Sequence, residues 1–119
     1  MSNPVVWFEI LGKDGEKLKK FYGDTFDWEI NSDNPMNYGI ANTASEKGIH
    51  GGIGTGEKDM AWATFYIEVK DIEAHLKLVN DNGGKTLLPR TVIPNMVTFA
   101  IFCDPEGNTV GLVESAEID

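Results

Sequence analysis

The chain repeats part of its own sequence. Residues 6–14 (VWFEILGKD) align with residues 63–71 (ATFYIEVKD) at an offset of 57 positions. Phe, Ile, Lys and Asp recur at matching places, and a helical pattern follows each segment. A repeat of this length in a chain of 119 residues predicts two similar modules in tandem. Each module would bury too little core to stand alone, so we expect the two to pair.

The first half predicts the order strand, helix and three further strands. β-branched and aromatic residues predict a strand over Val5–Leu11. Asp14 is a good N-cap for the helix that follows, and Gly23 is expected to end that helix. The remaining predicted strands are Phe26–Ile30, Tyr38–Ala41 and Gly51–Gly54.

The second half predicts the same order. A strand over Trp62–Val69 leads to a helix that Asp71 caps and that ends at Asn82–Gly84. Proline and glycine in Asp104–Asn108 predict a tight hairpin. The other strands are Lys85–Leu88, Val97–Cys103 and Thr109–Glu114. We therefore predict an α+β fold of two tandem βαβββ modules, residues 1–55 and 61–119, joined by a polar linker at 55–60.

The charge balance narrows the classes of partner. Nineteen acidic residues against ten basic ones give a net charge of −9, which disfavours nucleic acid and anionic membranes and modestly favours cationic ligands. The single cysteine, Cys103, excludes an intramolecular disulfide. No apolar run approaches the ~20 residues of a membrane span, and the N-terminus does not resemble a signal peptide. We expect a soluble, cytoplasmic protein.

Three motifs carry a family resemblance. The segments Leu18–Tyr22 and Phe26–Trp28 look like an early "FY…FGW" pattern, Phe65–Ile72 like the start of a second module, and Asp104–Asn108 like a terminal hairpin. Together they resemble the vicinal-oxygen-chelate superfamily, which includes glyoxalase I, extradiol dioxygenases, and bleomycin and fosfomycin resistance proteins. The resemblance implies a U-shaped mixed sheet that encloses a cleft, and a homodimer.

The resemblance also implies positions for metal ligands. Catalytic members hold a divalent metal with His, Glu or Gln on the first and last strands of each module. Here those positions carry Trp7, Thr64, Gly111 and a residue within Gly51–Gly54. Indole and glycine offer no side-chain donor, and a threonine hydroxyl is a weak one. We therefore expect no metal at these positions and no cofactor.

Alternation along the two first strands separates an apolar face from a mixed one. Phe8 and Ile10 share one face of the first strand, which should pack on a helix. The opposite face, with its aromatic rings and carboxylates, should line the cleft. The candidate ligand-binding residues are Trp7, Glu9, Thr64, Tyr66 and Glu68, flanked by Met60, Trp62 and Phe102, with His50 at the rim.

Two interpretations of this face stay open. Aromatic surfaces with a few converging polar groups are typical of small-molecule sites, and carboxylates beside Trp and Tyr suit a cationic or aromatic ligand. Alternatively, Glu9 and Glu68 face water, the rings only fill a cleft, and His50 is an ordinary loop residue. His75 and Cys103 are expected to be structural.

The function favoured by the sequence is metal-independent binding of a cationic or aromatic small molecule, such as drug or metabolite sequestration. One alternative is a glyoxalase-like lyase or a dioxygenase that uses non-standard metal ligands such as Glu9, His50 and Glu68. Another is a metal-free isomerase or lyase with Glu9 or Glu68 as general base, for which a raised carboxylate pKa would be the mark.

Overall fold

A computed structural model describes residues 2–57 and 61–115 of the chain. The chain divides into two compact units. The first unit is Val6–Thr64, and the second unit combines Phe65–Asp119 with Met1–Val5. Each unit holds one helix and a set of mixed strands.

The first unit contains the elements of one βαβββ module. The strands follow the order β2-β3-β4-β1, with β1 parallel to β4 and the other neighbours antiparallel. The elements are β1 (Val5–Gly12), α1 (Gly15–Phe26), β2 (Glu29–Asn31), β3 (Gly39–Asn42) and β4 (Gly51–Thr55).

Helix α1 begins as predicted but ends later. The Asp14 carboxylate accepts a hydrogen bond from Lys17 N at 3.1 Å, as an N-cap should. The expected stop at Gly23 is wrong, because the helix continues to Phe26 and ends at Asp27, which has a φ of 62°. Glycine inside a helix costs only about 1 kcal/mol relative to alanine, which the aromatic packing of this helix offsets. The strand predicted from Phe26 accordingly shrinks to β2.

The second unit repeats the module. Strand β5 (Trp62–Val69) starts in the last residues of the first unit. The strand order is β5-β8-β7-β6, with β5 parallel to β8 and the other neighbours antiparallel. The remaining elements are α2 (Ile72–Asp81), β6 (Lys85–Ile93), β7 (Val97–Cys103) and β8 (Thr109–Glu114).

Strand β6 is longer than the sequence predicted. It continues past Leu88 through Pro89 to Ile93, and its pairing with β7 shifts register once before Leu88 and once across the proline. Proline cannot donate to a sheet ladder and is tolerated at edges and bulges, and β6 is the last strand of its order. The predicted end at Leu88 is therefore wrong.

The apolar faces pack on the helices as the alternation predicted. In the second unit, the buried cluster is Val69, Ile72, Leu76, Ala100 and Leu112. In the first unit, the Phe8 ring lies 5.3 Å from the Trp28 ring, which stacks on Tyr22 of α1 at 5.4 Å. The α+β fold of two βαβββ modules is thus confirmed.

Neither helix in the described part of the chain is long and apolar enough to cross a membrane.

Candidate functional site

Three side chains of the first unit form a hydrogen-bonded group, which we call the Trp7–Tyr38–Glu9 cluster. The Trp7 indole Nε1–H donates to the Tyr38 hydroxyl oxygen at 3.2 Å. The Tyr38 hydroxyl donates in turn to Glu9 Oε2 at 2.8 Å. All three residues are half-buried. The cluster therefore presents a carboxylate whose orientation is fixed beside two aromatic rings.

Strand β1 and the turn before β3 build this cluster. Trp7 and Glu9 are two residues apart on β1 and so project to the same side. Asn34 holds the Tyr38 backbone on both sides: its Oδ1 accepts from Tyr38 N at 3.0 Å and its Nδ2 donates to Tyr38 O at 2.7 Å. The turn thereby fixes the point from which the Tyr38 ring reaches Glu9.

Glycines on β4 make room for the Tyr38 ring. Strand β4 lies between β3 and β1, so the ring must cross it to reach β1. A Cβ added at Gly52 would overlap the Tyr38 ring, and one at Gly54 would lie 3.4 Å from Tyr38 Cδ1. Any larger residue at Gly52 would displace Tyr38 from the cluster.

Burial and charge keep Tyr38 neutral. Burial raises the pKa of the Tyr38 phenol well above its usual 10, and the negative charge of Glu9 raises this pKa further. The hydrogen bond from Trp7 acts in the opposite direction but is outweighed. At neutral pH, Tyr38 therefore keeps its proton and donates a hydrogen bond to Glu9.

The second unit pairs a tyrosine with a glycine at the equivalent place. Glu9 is paired with Gly52 across β1 and β4, and Tyr66 is paired with Gly111 across β5 and β8. Glu9 and Tyr66 are 66 − 9 = 57 positions apart, which is the offset of the repeat. The structure thus identifies Gly52 as the counterpart of Gly111. A Cβ at Gly111 would overlap the Tyr66 ring, which is only 8% exposed.

The residues at the family's metal positions do not fit a divalent cation. Gly52 and Gly111 supply no donor, and tyrosine rings occupy the space that a side chain there would need. Trp7 uses its indole nitrogen as a donor to Tyr38. Across residues 2–57 and 61–115, no three His, Cys, Asp or Glu side chains come together as a metal site would require.

The other candidate residues lie outside this cluster. His50 is exposed before β4, and its Nδ1 accepts from Thr43 N at 3.4 Å. In the second unit, Glu68 is half-buried and its backbone N donates to Pro4 O at 2.9 Å. Thr64 is half-buried in β5. Ligand binding by these residues and by Tyr66 stays a prediction.

The three residues expected to flank the mixed face lie in different places. Phe102 packs against the buried cluster beside α2, so the expectation that it flanks the mixed face is wrong. It shares the face of Ala100, two residues earlier on β7, and that face packs on the helix. Trp62 lines a groove beside α1. Met60 lies outside the described residues.

Sequence reasoning missed Tyr38. The only signals were indirect: a glycine-rich strand that needs something to cover it, and an aromatic residue next to a turn. Tyr38 is 29 positions from Glu9, so neither period nor spacing connects the two.

Comparison with known proteins agrees with this architecture. Residues 5–41 match the family model described as bleomycin resistance protein-like N-terminal. A "Glyoxylase-like domain-containing protein" from Didymella fabae is 34% identical over 113 residues, and the match covers 85% of each chain. The fold and these matches define a glyoxalase-like domain. The chain belongs to the vicinal-oxygen-chelate superfamily, which includes the glyoxalases and the bleomycin resistance proteins.

Solved structures share the fold at low identity. A hypothetical protein from Bacillus halodurans C-125 has a TM-score of 0.70 at 17% identity, covering 100% of this chain and 99% of that one. A glyoxalase/bleomycin resistance protein/dioxygenase superfamily member from Vibrio splendidus 12B01 has a TM-score of 0.62 at 20% identity, covering 96% and 100%. Methylmalonyl-CoA epimerase from Mycobacterium tuberculosis has a TM-score of 0.65 at 13% identity, covering 95% and 88%. At these identities the likeness concerns the fold.

Proposed function

We propose that the protein binds a cationic or aromatic small molecule without a metal, at a surface that includes the Trp7–Tyr38–Glu9 cluster. Sequestration of such a compound would be its activity. The observation that carries the proposal is the pair of hydrogen bonds that Tyr38 makes to Trp7 and Glu9. These bonds hold a carboxylate beside two aromatic rings before any ligand arrives.

The chemistry of the cluster suits a planar cation. A cation over a Trp or Tyr ring gains about 0.5–2 kcal/mol, more where water is excluded. The Glu9 carboxylate adds an opposite charge, and the net charge of −9 steers cations toward the chain. Because the three side chains are already oriented, a ligand would not have to order them on binding.

The metal-dependent alternative lacks support from the available donors. It would need Glu9, His50 and Glu68 to converge, and the described part of the chain holds no such acidic or histidine group. Tyr38 already occupies one oxygen of Glu9, and Thr43 donates to the His50 ring. Methylmalonyl-CoA epimerase shows that the fold can carry an enzyme, but fold alone does not assign chemistry.

A matched pair of ligands tests the proposal. Titrating N-methylacridinium and neutral acridine into the protein, with EDTA present, separates charge from aromatic stacking, and tryptophan fluorescence reports binding. We expect the cation to bind at least about tenfold more tightly than the neutral compound, since one favourable charge contact is worth about 1.4 kcal/mol. Equal affinity, or no binding of either, would contradict a cationic site.

Two variants locate the site. Glu9→Gln keeps a carbonyl acceptor for Tyr38 but removes the charge, so affinity for the cation should fall about tenfold. Glu29→Gln removes the same charge from an exposed position on β2 and should leave affinity unchanged. If both variants weaken binding equally, the overall charge attracts the ligand and the cluster does not.

A further inference from the structure

We infer a second binding site, for an amphipathic anion such as an aromatic or alkyl carboxylate, in a groove beside α1 of the first unit. We call it the α1 groove. Its walls are the end of β1, one side of α1 and the start of β5, together with Thr55. It shares no residue with the Trp7–Tyr38–Glu9 cluster, and its ligand has the opposite charge.

The α1 groove is large and mostly apolar. Its volume is about 1090 Å³, slightly above the range of about 300–1,000 Å³ that is usual for pockets that hold small molecules. Phe21 is 53% exposed, so an apolar ligand would cover surface that water now contacts. The apolar side chains are Ile10, Leu11, Leu18, Phe21, Tyr22 and Trp62.

Two lysines give the groove a positive charge. Lys13 and Lys17 line it, and neither forms an ion pair with any residue of the described ranges. The two other lysines of α1 are held, Lys19 by Glu16 and Lys20 by Asp24. The chain as a whole has a net charge of −9, so two unpaired lysines on one apolar groove make the local charge there opposite to that of the whole protein.

One acidic residue lines the groove but is already engaged. The Asp14 carboxylate accepts from Lys17 N and caps the first turn of α1. A carboxylate at a helix N-terminus is stabilised there by the partial positive charge of the helix. Asp14 therefore offsets the lysines less than its formal charge suggests, and the groove favours an anion.

Anilinonaphthalene sulfonate, an aromatic anion that fluoresces when bound to apolar surface, is a suitable probe. We expect saturable binding of one probe per chain. Decanoate should displace it, because its carboxylate can pair with Lys13 and Lys17 while its alkyl chain covers the apolar walls. Decyltrimethylammonium, with the same chain and the opposite charge, should not displace it. Displacement by both would show that apolar surface alone binds the probe, and would overturn the inference.

Charge-matched variants locate the probe. Lys13→Glu/Lys17→Glu should weaken binding about tenfold or more, because it reverses both groove charges. Lys47→Glu/Lys85→Glu makes the same change in net charge at exposed positions outside the groove and should leave binding unchanged. Equal effects of the two double variants would overturn the inference.

A second copy of the chain is the competing occupant. Sedimentation measures the size of the protein with and without the probe. An unchanged size with bound probe supports a ligand site, and dissociation of a dimer by the probe would show that a second copy covers the groove. N-methylacridinium binding to Lys13→Glu/Lys17→Glu should be unchanged or stronger, so failure of this site is distinguishable from failure of the proposed function.

Discussion

The two units place a tyrosine over a glycine at equivalent positions, but in different ways. In the first unit, Tyr38 comes from the turn before β3 and crosses β4 to reach β1. In the second unit, Tyr66 lies on β5 directly beside Gly111 of β8. Tyr38 is half-buried and hydrogen-bonds Glu9, whereas Tyr66 is buried.

This difference gives the two tyrosines different exposure and different surroundings. The Tyr38 hydroxyl lies at the far end of a ring that has crossed the sheet, so it can orient Glu9 and Trp7 near solvent. The Tyr66 ring fills the volume above Gly111 and leaves little surface for a ligand. Both modules thus place a tyrosine over a glycine, and in the first module that tyrosine also orients a carboxylate.

The largest expected effect comes from filling the two glycines. Gly111→Ala places a methyl group against the inner atoms of the Tyr66 ring, which is buried and has little room to rotate, so we expect a loss of about 3 kcal/mol in the free energy of unfolding. Gly52→Ala meets the hydroxyl end of Tyr38, which can swing away, so its loss should be about 1–2 kcal/mol. Urea denaturation measures both. A larger loss for Gly52→Ala would reverse the comparison.

Gly52→Ala should also weaken N-methylacridinium binding, because it displaces Tyr38 from Glu9. Gly111→Ala, measured where it remains folded, should not.

The first backbone N–H group of each helix donates to a side chain at the end of a strand, and the two acceptors differ in charge. Gly15 N donates to Thr55 Oγ1 at 3.0 Å, and Ile72 N donates to Glu114 Oε2 at 3.2 Å, at equivalent places beside the ends of β1 and β5. We expect Thr55→Val to cost about 1 kcal/mol, because it removes the acceptor of Gly15 N. Glu114→Gln should also cost about 1 kcal/mol, because it keeps an oxygen for Ile72 N but removes the charge that Arg90 contacts. Thermal or urea unfolding at neutral pH measures both losses.

Only the Glu114 contribution should depend on pH. Hydrogen bonds from Arg90 hold the pKa of the Glu114 carboxyl below its usual 4.5. A lowered folded-state pKa means that the stabilisation is present above 4.5 and is lost as pH falls through the folded value. The difference between wild type and Glu114→Gln should therefore shrink on acidification, and that for Thr55→Val should stay constant. Parallel pH profiles for the two variants would contradict this assignment.

Tyr38→Phe tests the neutral phenol of the first unit. The pKa of Tyr38 is raised, so its stabilisation is complete below the usual 10 and is lost as pH rises toward the folded value. Removing the hydroxyl should cost about 1 kcal/mol at neutral pH. Ultraviolet titration of the phenols should lose the transition of a tyrosine that ionises above 10. If the variant instead loses a tyrosine that ionises near the usual pKa of 10, the pKa of Tyr38 is not raised.

The smallest expected effect is an increase in stability. Gly23 lies inside α1, and a Cβ there would be 3.6 Å from Trp28 O and 3.7 Å from Ile30 Cδ1. Gly23→Ala should therefore stabilise the protein by up to about 1 kcal/mol through helix propensity. A loss in thermal stability would mean that this end of α1 packs more tightly than these distances indicate.

Local patterns predicted the modules well. Alternation on β1 and β5 correctly assigned Phe8 and Ile67 to the helix-packed faces, and Asp14 and Asp71 cap the helices as expected. The errors arose where a local signal competed with packing: Gly23 did not end α1, and Pro89 did not end β6.

The candidate site was only half predictable for the same reason. Trp7 and Glu9 followed from the strand period, but Tyr38 reaches them across a strand that is distant in sequence. Phe102 was assigned to the wrong face. An aromatic residue suits either face of a strand, and it is the packing of β7 on α2 that puts Phe102 on the helix side.

Metal content tests the central claim most directly. The purified protein is incubated with Mn, Fe, Ni, Zn and Mg salts, desalted, and measured by elemental analysis, with N-methylacridinium affinity determined on the same samples. Because glycines and tyrosine rings occupy the family's ligand positions, we predict substoichiometric metal and an affinity that EDTA does not change. One tightly held metal per chain, with ligand binding that EDTA abolishes, would contradict the account.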